Sequence, residues 1–231
     1  MLDVCRKELK YLVTLKEAIR LKKQLFAVMR GDIHNGQDGY FVRSLYFDTL
    51  SDRDYEDKVD GYDHRQKIRL RVYDLNAETA KLELKEKDGS TQRKRSLSVS
   101  RQEAYQLIQG EYDFLLKRNE AFAHDMYAFM TTRCYRPKCI VEYDRFAFCT
   151  DTNDIRVTFD MNLRATEADF DLFRDNLQLY PVANRAEATM EVKFNVFLFT
   201  FIKNILNISD RIQVSNSKYC RARTITKRGR R

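Results

Sequence analysis

Arg, Lys and Glu recur at every second position in several separate stretches of this chain. From Lys81 to Lys87 the order Lys-Leu-Glu-Leu-Lys-Glu-Lys turns Lys81, Glu83, Lys85 and Lys87 to one face of a strand and Leu82 and Leu84 to the other. The same alternation sets Arg6, Glu8 and Lys10 against Leu9, Tyr11 and Val13, and Lys67, Arg69 and Arg71 against Ile68, Leu70 and Val72. It sets Arg156, Thr158 and Asp160 against Val157, Phe159 and Met161, and Thr189, Glu191 and Lys193 against Met190, Val192 and Phe194. Guanidinium forks and ammonium groups match phosphate oxygens, while carboxylates suit a hard divalent cation. Phosphoryl transfer asks for little more, because it depends on in-line positioning and on neutralising charge at the transferred group.

An antiparallel sheet with one wet face is the simplest reading of any single segment. Such faces mix charges with Thr, Ser, Gln and Asn, whereas these are dominated by Arg and Lys. Cations crowded on one surface repel each other unless an anion fills the space between them. Internal salt bridges are the competing reading, and buried pairs without a ligand are seldom net stabilising.

The elements that position these faces are mostly strands, Lys138 to Phe148 among them, although there Val141, Tyr143 and Arg145 share a face opposite Glu142 and Asp144. Helical spacing predicts helices over 15–29, 101–116, 121–131, 167–177 and 195–207, with Ser100 and Glu103 placed as a capping box. Phe194, Phe197, Phe199 and Phe201 read as core. A sheet apolar on one face and charged on the other closes most sensibly into a barrel or tunnel wrapped by helices. The fold class expected is therefore α+β, a closed tunnel of about eight antiparallel strands with a charged lumen.

The 231 residues, 43% hydrophobic and 12% aromatic, support a sizeable core. Seven Gly and two Pro leave no flexible linker to mark a boundary, so one domain over 1–224 with a basic tail at 225–231 is the economical reading. The formal net charge of +8 favours a polyanionic partner. The cysteines Cys5, Cys134, Cys139, Cys149 and Cys220 show neither Cys-x-x-Cys spacing nor a nearby His, which excludes a zinc ribbon and a disulfide framework. No secretory leader or membrane span is apparent, and a cytoplasmic location is expected. No P-loop is present, and His34, His64 and His124 are isolated. Tyr residues beside basic ones lack any RRM or KH signature, so no specific nucleic acid is expected.

Arg6-Lys7-Glu8-Leu9-Lys10-Tyr11, Ser44-Leu45-Tyr46-Phe47-Asp48, Lys67-Ile68-Arg69-Leu70-Arg71, Leu82-Glu83-Leu84-Lys85, Tyr143-Asp144-Arg145, Thr189-Met190-Glu191-Val192-Lys193 and Ser217-Lys218-Tyr219 follow one another in this order. Together they resemble the VTC domain, the polyphosphate polymerase domain of the vacuolar transporter chaperone proteins, within the CYTH-like triphosphate tunnel metalloenzymes. The chain looks like the stand-alone bacterial form, without the SPX domain and membrane helices of yeast-type subunits. The resemblance implies that Lys10, Arg69, Arg71, Lys85 and Arg145 grip phosphates and carry catalysis. It adds Arg95, Lys193 and Lys218 as substrate-binding residues, Arg95 standing for the run Arg93-Lys94-Arg95. It implies a Mn2+ or Mg2+ ion held chiefly by Glu191, with Glu8 and Glu83 assisting and Asp160 a weaker candidate. ATP or another NTP and inorganic polyphosphate or triphosphate are the partners so implied. Transfer of the terminal phosphoryl of ATP to a polyphosphate chain is the leading expectation. The alternatives are an inorganic or nucleoside triphosphatase and a non-catalytic polyphosphate-binding module.

Overall fold

The computed structural model describes residues 7–89 and 91–228, with only the backbone of Ile225, Thr226 and Arg228. Arg6, Cys5 and the last three residues of the expected tail lie outside the described residues. The elements run β1 (Lys7–Thr14), α1 (Leu15–Leu25), β2 (Arg30–Gly31), β3 (Tyr40–Asp48), α2 (Arg53–Val59), β4 (Arg65–Val72), β5 (Thr79–Asp88), β6 (Thr91–Ser100) and α3 (Arg101–Gln109). They continue with α4 (Ala121–Thr132), β7 (Arg136–Cys149), β8 (Arg156–Thr166), β9 (Tyr180–Pro181), β10 (Glu187–Phe194), α5 (Thr200–Leu206) and α6 (Lys218–Arg228). The class is α+β, and among the described residues eight strands are eight residues or longer.

The chain packs as two compact units, each drawn from three separate stretches of sequence. The first comprises Met1–Phe41, Tyr143–Leu163 and Ala183–Ser217, and the second Val42–Glu142, Arg164–Val182 and Lys218–Arg231. In the first unit the antiparallel order is β1, β10, β8 and the C-terminal half of β7, with β2 beside β7. The even-spaced apolar residues of these strands, among them Tyr11, Val13, Val157, Phe159, Met190 and Val192, are buried in one core with Ala18, Leu21 and Leu25 of α1 and Ile202 and Leu206 of α5. Burying that face fixes which side the charged residues take. Thr14 caps α1 by accepting from the Glu17 amide at 3.2 Å.

In the second unit β3, β4, β5 and β6 follow one another antiparallel. Their apolar face, with Leu45, Ile68, Leu70, Leu82, Leu84 and Leu97, packs under Ala104 and Leu107 of α3 and Met126 and Met130 of α4. The capping box at Ser100 and Glu103 forms as the sequence predicts, and Gly110, at φ 85°, ends α3 in the left-handed region.

Several expectations change. The helix expected over 101–116 stops at Gln109. Residues 167–177 are not helical, because Thr166, Asp169 and Asp171 side-chain oxygens accept from the amides of Ala168, Asp171 and Phe173 and hold the chain in successive local turns. Phe197 and Phe201 are exposed, since α5 starts only at Thr200 and buries Ile202 and Leu206 instead. Residues 225–228, read as the start of a tail, continue α6. Its Arg223 and Lys227 pair with Asp52 and Glu56, which lie at the start of α2 and within it.

Candidate phosphate-binding site

In the first unit, register decides which charges meet. Lys10, Glu191 and Thr158 form one row across β1, β10 and β8, and Glu8, Lys193 and Arg156 form the next. Lys10 Nζ lies 3.0 Å from Glu8 Oε1 and 3.3 Å from Glu191 Oε1, so one ammonium holds two carboxylates. Lys193 Nζ approaches the other Glu191 oxygen at 3.3 Å, and Arg145 Nη2 lies 3.9 Å from it. Asp160 fixes Arg145 through two bonds, from Nε at 2.6 Å and Nη2 at 2.8 Å, while the guanidinium sits 5.3 Å from the Tyr143 ring centre. Glu191, Asp160 and Arg145 are all buried. Burial opposes the Arg145 charge, but Asp160, Tyr143 and Glu191 outweigh it and hold the guanidinium firmly protonated. The Thr158 hydroxyl is buried and makes no hydrogen bond, on the same face as Glu191. Arg156 pairs with Asp32, at 2.7 Å, and donates to the Tyr40 hydroxyl.

In the second unit the charged face carries four rows. Tyr46, Arg69, Glu83 and Ser96 form one, Ser44, Arg71, Lys81 and Ser98 the next, Lys67, Lys85 and Lys94 the third, and Arg65, Lys87 and Gln92 the fourth, at the strand ends. Glu83 is the only carboxylate on that face of β4, β5 and β6. It accepts from Arg69 Nε at 2.6 Å, pairs with Lys94, and lies 3.7 Å from Arg71 Nη1. Burial would raise its pKa, but Arg69, Arg71 and Lys94 hold it at about 2. Tyr46 accepts from Arg69 at 3.2 Å, and Ser44 from Arg71 at 3.4 Å.

On this same face the Tyr46 ring stacks on Tyr219 of α6 at 5.2 Å, and the Tyr219 hydroxyl donates to Asp48 at 2.6 Å. Asp48 also accepts the Asp54 and Tyr55 amides, which fixes the start of α2. Asp54 is buried next to it and accepts from the Tyr135 hydroxyl at 2.9 Å. Burial, then repulsion from Asp48, pushes the Asp54 carboxyl up to about 7.

Of the residues expected in the site, Glu8, Lys10, Arg145, Glu191 and Lys193 come together in the first unit, and Arg69, Arg71, Glu83 and Lys85 share one face in the second. Lys218 opens α6. Arg95 does not join them: it pairs with Leu84 across the sheet, so its side chain takes the opposite face, where it binds Asp125 at 2.5 Å and covers Phe122. Its neighbour Lys94 occupies the charged face. The two-residue period of the strand distinguishes the pair once the register with β5 is known. Sequence reasoning gave no site role to Tyr46, Ser44 or Thr158, neutral residues that cross-strand pairing sets opposite the charges.

The VTC domain model matches residues 5–227. The chain belongs to the VTC domain family. No curated relative matches it. Among solved structures, it is similar to a candidate adenylate cyclase from Bacillus halodurans, with a TM-score of 0.53, 15% identity and coverage of 92% of this chain and 95% of that one. It is also similar to a candidate adenylyl cyclase from Hippeastrum described as having a dominant triphosphatase activity, with a TM-score of 0.56, 13% identity and 94% of each chain covered. The VTC chain thus has the α+β fold of the CYTH-like triphosphate tunnel proteins. Among the described residues, no helix is long and apolar enough to cross a membrane.

Among the described residues, no group of three or more His, Cys, Asp and Glu side chains gathers as a metal cage. The oxygens of Glu8 and Glu191, both held by Lys10, still fit Mg2+ or Mn2+, because Mg2+ is characteristically bound through one or two carboxylates, phosphate oxygens and retained waters.

Proposed function

We propose that this VTC domain is a metal-dependent polyphosphate polymerase that transfers the terminal phosphoryl of ATP to the end of a phosphate or polyphosphate chain. The observation that carries this reading is the group in which half-buried Glu8 and buried Glu191 share Lys10 while Asp160 aims Arg145 beside them. A carboxylate pair beside fixed cations has the donor set for a divalent ion and a transferring phosphoryl group together.

The divalent ion, when bound to Glu8 and Glu191, supplies charge neutralisation and orientation to the phosphate oxygens. Arg145, locked by two bonds to Asp160, presents its guanidinium without losing side-chain freedom at the moment of reaction. Lys10 and Lys193 neutralise developing negative charge, and the Thr158 hydroxyl has a donor to offer a phosphate oxygen. The acceptor is already anionic, so no residue is required as a general base. In the second unit Arg69, Arg71, Lys85 and Lys94 bind phosphoryl oxygens, and Glu83 positions the two arginines in the absence of ligand. A face built only to clamp anions would gain from losing Glu8 and Glu191, which disfavours a silent binding module.

Incubation with ATP and Mn2+, followed by separation of long-chain polyphosphate from free phosphate, tests the reading. Long chains are expected. Free phosphate alone would make the protein a triphosphatase, and no turnover with tight tripolyphosphate binding would make it a binding module.

A further inference from the structure

A cleft of about 490 Å³ lies in the second unit at the ends of β4, β5 and β6, beside α2 and the residue that follows α4. It shares no residue with the Glu83 group. Register sets Arg65 opposite Lys87, and Gln66 opposite Glu86 with Arg93 beyond it. Arg53 of α2 and Arg133 after α4 complete basic walls.

Two of the cleft's three carboxylates are paired with cations: Asp57 lies 3.7 Å from Arg53 and Glu86 lies 3.4 Å from Arg95, while Asp88 lies 3.2 Å from the His64 imidazole, which carries a charge only when protonated. Among the described residues no carboxylate stands at ion-pair distance from Arg65, Lys87, Arg93 or Arg133, whose guanidinium lies over the Phe129 ring at 4.2 Å. Five cations against three carboxylates line the concavity, an excess of two positive charges, and arginine forks suit phosphate oxygens. No Phe, Tyr or Trp lines the cleft. A nucleobase or a nucleic-acid strand therefore has no stacking platform there.

We propose that this cleft is a second anion site, one that binds a linear inorganic oligophosphate of about tripolyphosphate size and charge. The proposal goes beyond the polymerase reading, since it requires binding alone.

Calorimetric titration with tripolyphosphate tests it on the whole chain, using the double variant R93E/R133E and, as a control, R69A/R71A. Both residues of the first pair are exposed, so reversing them leaves the melting temperature near that of the parent protein. In R93E/R133E one class of binding weakens by about tenfold to a hundredfold, as expected when charge-assisted contacts are lost. The same class persists in R69A/R71A. Unchanged stoichiometry and affinity in R93E/R133E would overturn the proposal, and so would single-stranded RNA displacing tripolyphosphate from R69A/R71A more effectively than polyphosphate does. Should ATP yield no polyphosphate while R93E/R133E still loses this binding, the polymerase reading fails and the second site stands.

Discussion

Replacing Glu83 with Gln tests the idea that this carboxylate stands in for a phosphate among the cations. Folding lowers its pKa from 4.5 to about 2, and about 2.5 pH units at 1.36 kcal/mol each make about 3 kcal/mol of stability at neutral pH. The folded-state pKa is depressed, so this contribution is present above about pH 4.5 and is lost as pH falls towards about 2. In E83Q it vanishes at all pH values, and Arg69, Arg71 and Lys94 are left to repel one another. For a chain of this length 1 kcal/mol corresponds to about 2–4 °C, so the melting temperature of E83Q falls by about 6–12 °C at pH 7. The variant should bind tripolyphosphate more tightly than the parent, because the ligand no longer displaces a bound carboxylate. At a concentration one hundred times its dissociation constant the ligand restores about 2.7 kcal/mol, nearly the whole loss. Thermal shift measured with and without tripolyphosphate gives both numbers. An E83Q protein as stable as its parent, or one that binds tripolyphosphate more weakly, would refute the reasoning.

Glu191→Gln should keep tripolyphosphate affinity within about threefold while metal-dependent turnover drops by about a hundredfold or more, in line with the loss of a charge-stabilising group; normal turnover with Mn2+ or Mg2+ would move the metal elsewhere. Asp54 carries the opposite pH signature to Glu83. Its folded-state pKa is raised from 3.8 to about 7, so the parent protein should lose up to about 4 kcal/mol between about pH 4 and pH 7, and Asp54→Asn should flatten that slope in urea unfolding followed across pH. Gly39 has φ 108°, and a side chain there would overlap the Arg145 carbonyl. Gly39→Ala should therefore destabilise by about 2 kcal/mol or more and lower turnover through displacement of Arg145, whereas an unchanged melting temperature would show that the close approach is dispensable.

The two-residue alternation determined the strands and their charged faces without help from the fold, because side chains on an extended backbone alternate whatever lies beside it. Lys81 to Lys87, Lys67 to Val72 and Thr189 to Phe194 all became strands with the apolar face buried as read. The Ser100 capping box was equally local, since a helix start is decided within four residues. Which charges meet was decided by register, a property of two strands far apart in sequence. Lys10 holds Glu191 across a separation of 181 positions because β1 pairs with β10 in one alignment, and a slip of one residue would send either side chain into the core. The same non-local pairing chose Lys94 over Arg95 and gave Tyr46 and Thr158 their places beside the charges. The segment 167–177 shows the limit from the other side: its helical spacing was overridden by Asp and Thr oxygens that capture nearby amides, a competition that spacing alone does not reveal.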